Sequence, residues 1–114
     1  MRLRLFVCVA WMASTSAFAC DYPPAAPKIP DGKTATSEEM TATQQAVKDY
    51  VTKMEAYIAC IDESVQNLPQ PLTQEQEHIH IEKHNAAVDE EQGVVDHFNA
   101  EVRAYKQAQD DAKY

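Results

Sequence analysis

From Met40 onward, apolar residues recur in steps of seven, at Met40, Val47, Met54, Ile61 and Leu68, with Tyr50, Val51, Tyr57, Ile58 and Val65 between them. A repeat of that period places its members along one helix face, and no Pro or Gly interrupts residues 37–68. Thr36 followed by Glu39 is a capping-box pattern, and Glu38 and Glu39 suit the positive end of a helix dipole. The pattern predicts one long amphipathic helix over 37–68. The turn "PQPL" at 69–72 ends it, because neither proline fits a helix interior. Thr73 and Gln76 then repeat the capping box, with Leu72 as the staple residue before it. A second helix is expected over 73–113, striped by Ile81, His84, Val88, Val95, Phe98, Val102, Tyr105 and Ala112. Gly93 falls inside it and should cost about 1 kcal/mol against Ala.

Two long helices joined by about four residues must lie antiparallel. The fold class expected is therefore all-α, a long coiled-coil-like antiparallel hairpin. Such a hairpin buries only one stripe from each helix, and Tyr57, Phe98, Tyr105 and the methionines exceed what one partner helix covers. A third layer, or a homodimer with a four-helix core, is expected. Part of that layer is available upstream. Residues 20–36 hold four of the six prolines, and Asp31-Gly32 marks a turn, so this stretch reads as an extended arm.

The chain opens with "MRLRLFVCVAWMASTSAFAC": two arginines, a short apolar run, and the small-x-small site Ala17-Phe18-Ala19. This is the pattern of a secretory signal peptide over 1–19, cleaved after Ala19. The apolar run is too short for a transmembrane helix of roughly 20 residues. Ala17 and Phe18 depart from the Leu-small-small-Cys pattern of a bacterial lipoprotein, so a lipid anchor on Cys20 is the lesser expectation. Loss of Arg2 and Arg4 takes the formal charge from −8 to −10, which disfavours nucleic acid and anionic membranes as partners.

The leader also removes Cys8, leaving Cys20 and Cys60. An even pair in an oxidising compartment reads as a disulfide. Chain length permits it: an arm at ~3.1 Å per residue spans roughly 50 Å from Ser37, against about 35 Å of helix from Ser37 to Cys60. The arm can therefore run back along the first helix and be tied there. Closing the loop should stabilise the fold by roughly 4 kcal/mol.

Candidate chemistry is concentrated in "EHIHIEKHN" at 77–85. With the turn centred near residues 70 and 71, His80 falls opposite Ile61 and His84 opposite Tyr57, at the level of the cysteines. The first reading is a solvated helix flank with His84 at the core edge. The second is an open site of Glu77, His80 and His84 for zinc or copper, with Glu63 of the first helix as a further ligand. The third is a tetrahedral set of Cys20, Cys60, His80 and His84, which needs both thiols reduced. Glu75 with His78, and Glu77 with His80, also match the E-x-x-H of di-iron bundles, without matching carboxylates in the first helix. No phosphate-binding loop, nucleophile elbow or H-E-x-x-H is present, and a non-enzyme is expected.

Two resemblances add to this. "CDYPPAAPKIPDGKTATSEEM", "VKDYVTKMEAYIACID" and "HNAAVDEEQGVVDHFNAEVRAYK" resemble an uncharacterised family of small secreted proteobacterial helical proteins. That likeness implies a secreted helical protein and carries over no catalytic residues. Leu72-Thr73-Gln74-Glu75-Gln76 is similar to the L-T-x-x-Q motif of periplasmic hairpin proteins of the Spy and CpxP kind, which implies a stress-chaperone role. The expected function is a non-enzymatic periplasmic or secreted protein that binds another protein or itself. The alternatives are a periplasmic zinc- or copper-binding protein and a chaperone-like hairpin.

Overall fold

A computed structural model describes residues 20–114. The expected leader at 1–19 lies outside the described residues. Two helices, α1 (Ser37–Gln66) and α2 (Gln74–Asp111), form an antiparallel hairpin. Both start on the capping boxes legible in the sequence. The Thr36 hydroxyl accepts from the Glu39 N–H at 3.1 Å while the Glu39 carboxylate accepts from the Thr36 N–H at 2.7 Å. Thr73 and Gln76 make the same reciprocal pair. Each box satisfies two backbone donors that a helix start otherwise leaves open. None of the described helices is long and apolar enough to cross a membrane.

The seven-residue repeat of α1 is its buried seam: Met40, Val47, Met54 and Ile61 are all buried, joined by Thr43 and Tyr50. Leu68 lies beyond the end of α1 and is exposed. The centre of the core is Tyr50, Met54 and Ala87, with Tyr57, Ile58 and Val94 packed around it.

α2 keeps its expected stripe in part: His84, Val95, Phe98, Val102 and Tyr105 are half-buried, whereas Ile81, Val88 and Ala112 are not. Its one buried residue is Ala87, Ile81 and Val88 are 49% and 41% exposed, and Ala112 is exposed. In the half of α2 nearer the turn, the face toward α1 runs through His80, His84, Ala87, Glu91 and Val94. The hydrophobic phase of α2 and its packing phase are offset there because an alanine, two histidines and a glutamate occupy the contact line. The more apolar row starts on the flank at Ile81 and Val88 and turns toward α1 by Val102.

The arm supplies a third layer on one side. Cys20 is bonded to Cys60, with Cα atoms 5.7 Å apart, so the start of the arm is held at the turn end of α1. The Tyr22 ring packs edge-on against Tyr57 at 4.9 Å between centroids, and Pro23 is buried beside it. Further along, Asp31 turns the chain back, its carbonyl accepting from the N–H groups of Thr34 and Ala35 and its carboxylate from that of Lys33. Gly32 is buried against α2, and its N–H donates to the Glu101 carboxylate at 2.7 Å. A Cβ there would overlap the Glu101 carbonyl and crowd the Tyr105 nitrogen, so only glycine permits this approach. Gly93 has open space where a Cβ would stand.

The arm is also tied by a phenol pair. Tyr22 and Tyr50 both donate to the Glu90 carboxylate, the latter at 2.9 Å. These two bonds, from Tyr22 first, hold the Glu90 carboxyl below its ordinary value. The hydrogen bond to Glu90, then burial, pushes the Tyr22 phenol up to about 12. Burial, then Glu90, pushes Tyr50 higher still. Arm, α1 and α2 thus meet at one carboxylate.

Candidate functional site

The hairpin has two sides, and the arm fills the groove on one of them. It packs on Tyr57 through Tyr22 near the disulfide, where the two share a hollow with Lys53 and Ala56, and Lys28 and Pro30 share another with Glu39, Ala42 and Thr43 near the start of α1. On the other side the helix flanks carry two apolar rows with seven-residue spacing. Val51, Ile58 and Val65 form the row of α1, and Ile81, Val88, Val95 and Val102 that of α2. The rows come together near the turn, where Val65 and Ile81 line one hollow; at the open end of the hairpin Val102 lines another with Met40, Thr41 and Gln44. Neither hollow includes an arm residue. Between them, Glu91 is half-buried; burial first, and the Glu55 charge second, pushes its carboxyl up.

At the turn end of this arm-free side sits the histidine cluster. Asp62 Oδ1 is 2.7 Å from His80 Nε2 and 3.0 Å from His84 Nδ1. One carboxylate oxygen of α1 therefore accepts from two imidazoles of α2 that lie four residues apart, with ring centroids 6.1 Å apart. Burial pushes the Asp62 carboxyl up, but the bonds from His80 and then His84 outweigh it and its net position is lowered. The three donor atoms lie within 4.8 Å of one another.

The expected partners of the histidines fall elsewhere. Glu77 is exposed and outside this group. Glu63, one residue from Asp62, lines a separate hollow with Cys60, Ser64, Asn67 and Leu68. His78 is exposed and faces Glu82 at 3.6 Å, so the Glu75 and His78 pair does not join the cluster either. The tetrahedral set of Cys20, Cys60, His80 and His84 is overturned: both sulfurs are consumed by the disulfide. Sequence reasoning missed Asp62, although register arithmetic that pairs His80 with Ile61 brings position 62 within one residue. Choosing Asp62 over Glu63 needed the rotation of α1, and the flank row Val51, Ile58, Val65 carries that signal: Asp62 lies on its side of the helix.

No protein-family model, no curated protein and no solved structure matches the chain.

Proposed function

We propose that the protein works in the periplasm or outside the cell without catalysing a reaction, and that its arm-free groove takes a second copy of the chain. The observation that carries this reading is the pair of apolar rows on one side of the hairpin, with Ile81 and Val88 about half exposed. From Ile81 to Val102 the row is about 32 Å long at ~1.5 Å per residue. Two helices ~9 Å apart, with their flanks, make a strip on the order of 600 Å². That approaches the ~800 Å² per partner of a stable interface. Two such strips laid together give a four-helix layer, the arrangement in which seven-residue apolar rows interlock. A disulfide suits an oxidising compartment.

Charge opposes the contact. Each copy is acidic, and Glu55 and Glu91 face the groove together. Association should therefore strengthen as salt screens that repulsion. Sedimentation equilibrium of the oxidised protein at two ionic strengths provides the test. The expectation is a monomer–dimer equilibrium shifted toward dimer in high salt and toward monomer by Ile81→Glu with Val88→Glu. A strict monomer at millimolar concentration in high salt would sink the reading.

A further inference from the structure

The Asp62, His80 and His84 cluster joins the two helices without using the apolar rows, and its geometry points to a second capacity. We infer that these three side chains form a binding site for a divalent first-row transition cation of the zinc type, with one coordination position left to water.

The donor set is the first reason. Two imidazole nitrogens and one carboxylate oxygen are the ligands that zinc accepts in its open, three-residue sites, and nitrogen donors select against calcium and magnesium. The spacing is the second. Bonds of ~2.0–2.1 Å in a tetrahedral site place ligand atoms about 3.3 Å apart. Asp62 Oδ1 already stands 2.7 and 3.0 Å from the two nitrogens. Opening those separations by about half an ångström makes room for the ion, a movement that side-chain torsions supply without shifting either helix.

Access is the third reason. The side chains are 24–37% exposed, so an aqueous cation reaches them while the helices hold their direction. The ion also replaces an existing interaction. Without it, His80 Nε2–H and His84 Nδ1–H donate to one carboxylate oxygen. With it, the same nitrogens offer lone pairs, and each neutral imidazole carries its proton on the other ring nitrogen. Three ligands from two helices then replace two hydrogen bonds, and the cation pins the turn end of the hairpin on the side opposite the disulfide.

This site differs from a single-helix set of Glu77, His80 and His84 in one respect that experiment separates: the carboxylate comes from α1. Zn²⁺ is titrated into the folded, oxidised protein, with binding read by calorimetry and histidine proton resonances. One zinc per chain is expected, with the His80 and His84 signals shifted and those of His78 and His97 unmoved. Asp62→Asn, which keeps the side-chain shape, should weaken binding at least tenfold; Glu77→Gln should change it less than twofold. His80→Ala with His84→Ala should abolish it, with circular dichroism checking that the helices persist. Should the double variant unfold, the contrast between Asp62→Asn and Glu77→Gln still decides.

Three results would overturn the site: no binding at millimolar zinc, equal weakening by Asp62→Asn and Glu77→Gln, or one zinc per two chains. The last would move the ligands to a contact between copies. Failure of dimerisation leaves this test unaffected, since the three ligands belong to one chain.

Discussion

The two helices are of comparable length, yet α1 buries six residues and α2 buries one. Composition alone does not explain this, because α2 contains three valines and an isoleucine in steps of seven. The difference is cover. α1 has α2 on one flank and the arm on another, whereas the apolar row of α2 starts out exposed at Ile81 and Val88 and reaches the cover of α1 only toward Val102. A hairpin of two helices is thus finished on the arm side and bare on the other, and substitutions on the two sides should behave differently.

The largest effect is expected from removing the tie. Cys20→Ser or Cys60→Ser frees the arm and should cost about 4 kcal/mol by loss of chain-entropy restriction, read as a lower urea midpoint. Met54→Ala, at the fully buried centre of α1, should cost about 2–5 kcal/mol in the same assay. Gly32→Ala forces a Cβ into the Glu101 backbone and should cost about 1–3 kcal/mol while leaving the helical signal intact. A stability unchanged by Gly32→Ala would mean that the arm does not lie against α2.

The bare side should be nearly silent in the same experiment. Under conditions where the chain is monomeric, Val88→Glu is expected to stay within about 0.5 kcal/mol of wild type. A loss above that would show Val88 covered within one chain. Gly93→Ala, with open space at its Cβ, should raise stability by about 1 kcal/mol through helix propensity.

The arm side also predicts a pH signature. Glu90 is held below its ordinary 4.5, so its contribution is fully present above that value and is lost as pH falls through the folded pKa. Glu90→Gln should flatten that acid limb. Tyr22 is raised from 10.0 to about 12, so its contribution is complete below pH 10 and is lost as pH rises toward about 12. Tyr22→Phe should shallow the alkaline limb.

The hairpin, the arm and the disulfide that ties it were legible in the sequence because each rests on short-range signals: a period of seven, two capping boxes, prolines, and an even cysteine pair. The phase of α2 was legible only in its second half, through Phe98, Val102 and Tyr105. Ile81 and Val88 outrank Ala87 in hydrophobicity, and only the presence of α1 decides that the small residue faces inward, where it lets the helices approach Met54 and Tyr50. Asp62 escaped notice for the same reason: its role depends on how two helices are rotated, which no local pattern carries. Glu90 was equally hidden, since it gains meaning from two tyrosines 68 and 40 residues away.

The bond between Cys20 and Cys60 also alters what a protease can do to this molecule. Any single cut among residues 21–59, including the proline-rich stretch, opens a covalent circle rather than dividing the chain in two. Both new ends stay attached through Cys60, so a nicked molecule keeps its mass apart from one added water. Release of a fragment from that region then requires a second cut or a reductant, and gels run with and without thiol would tell intact from nicked protein at once.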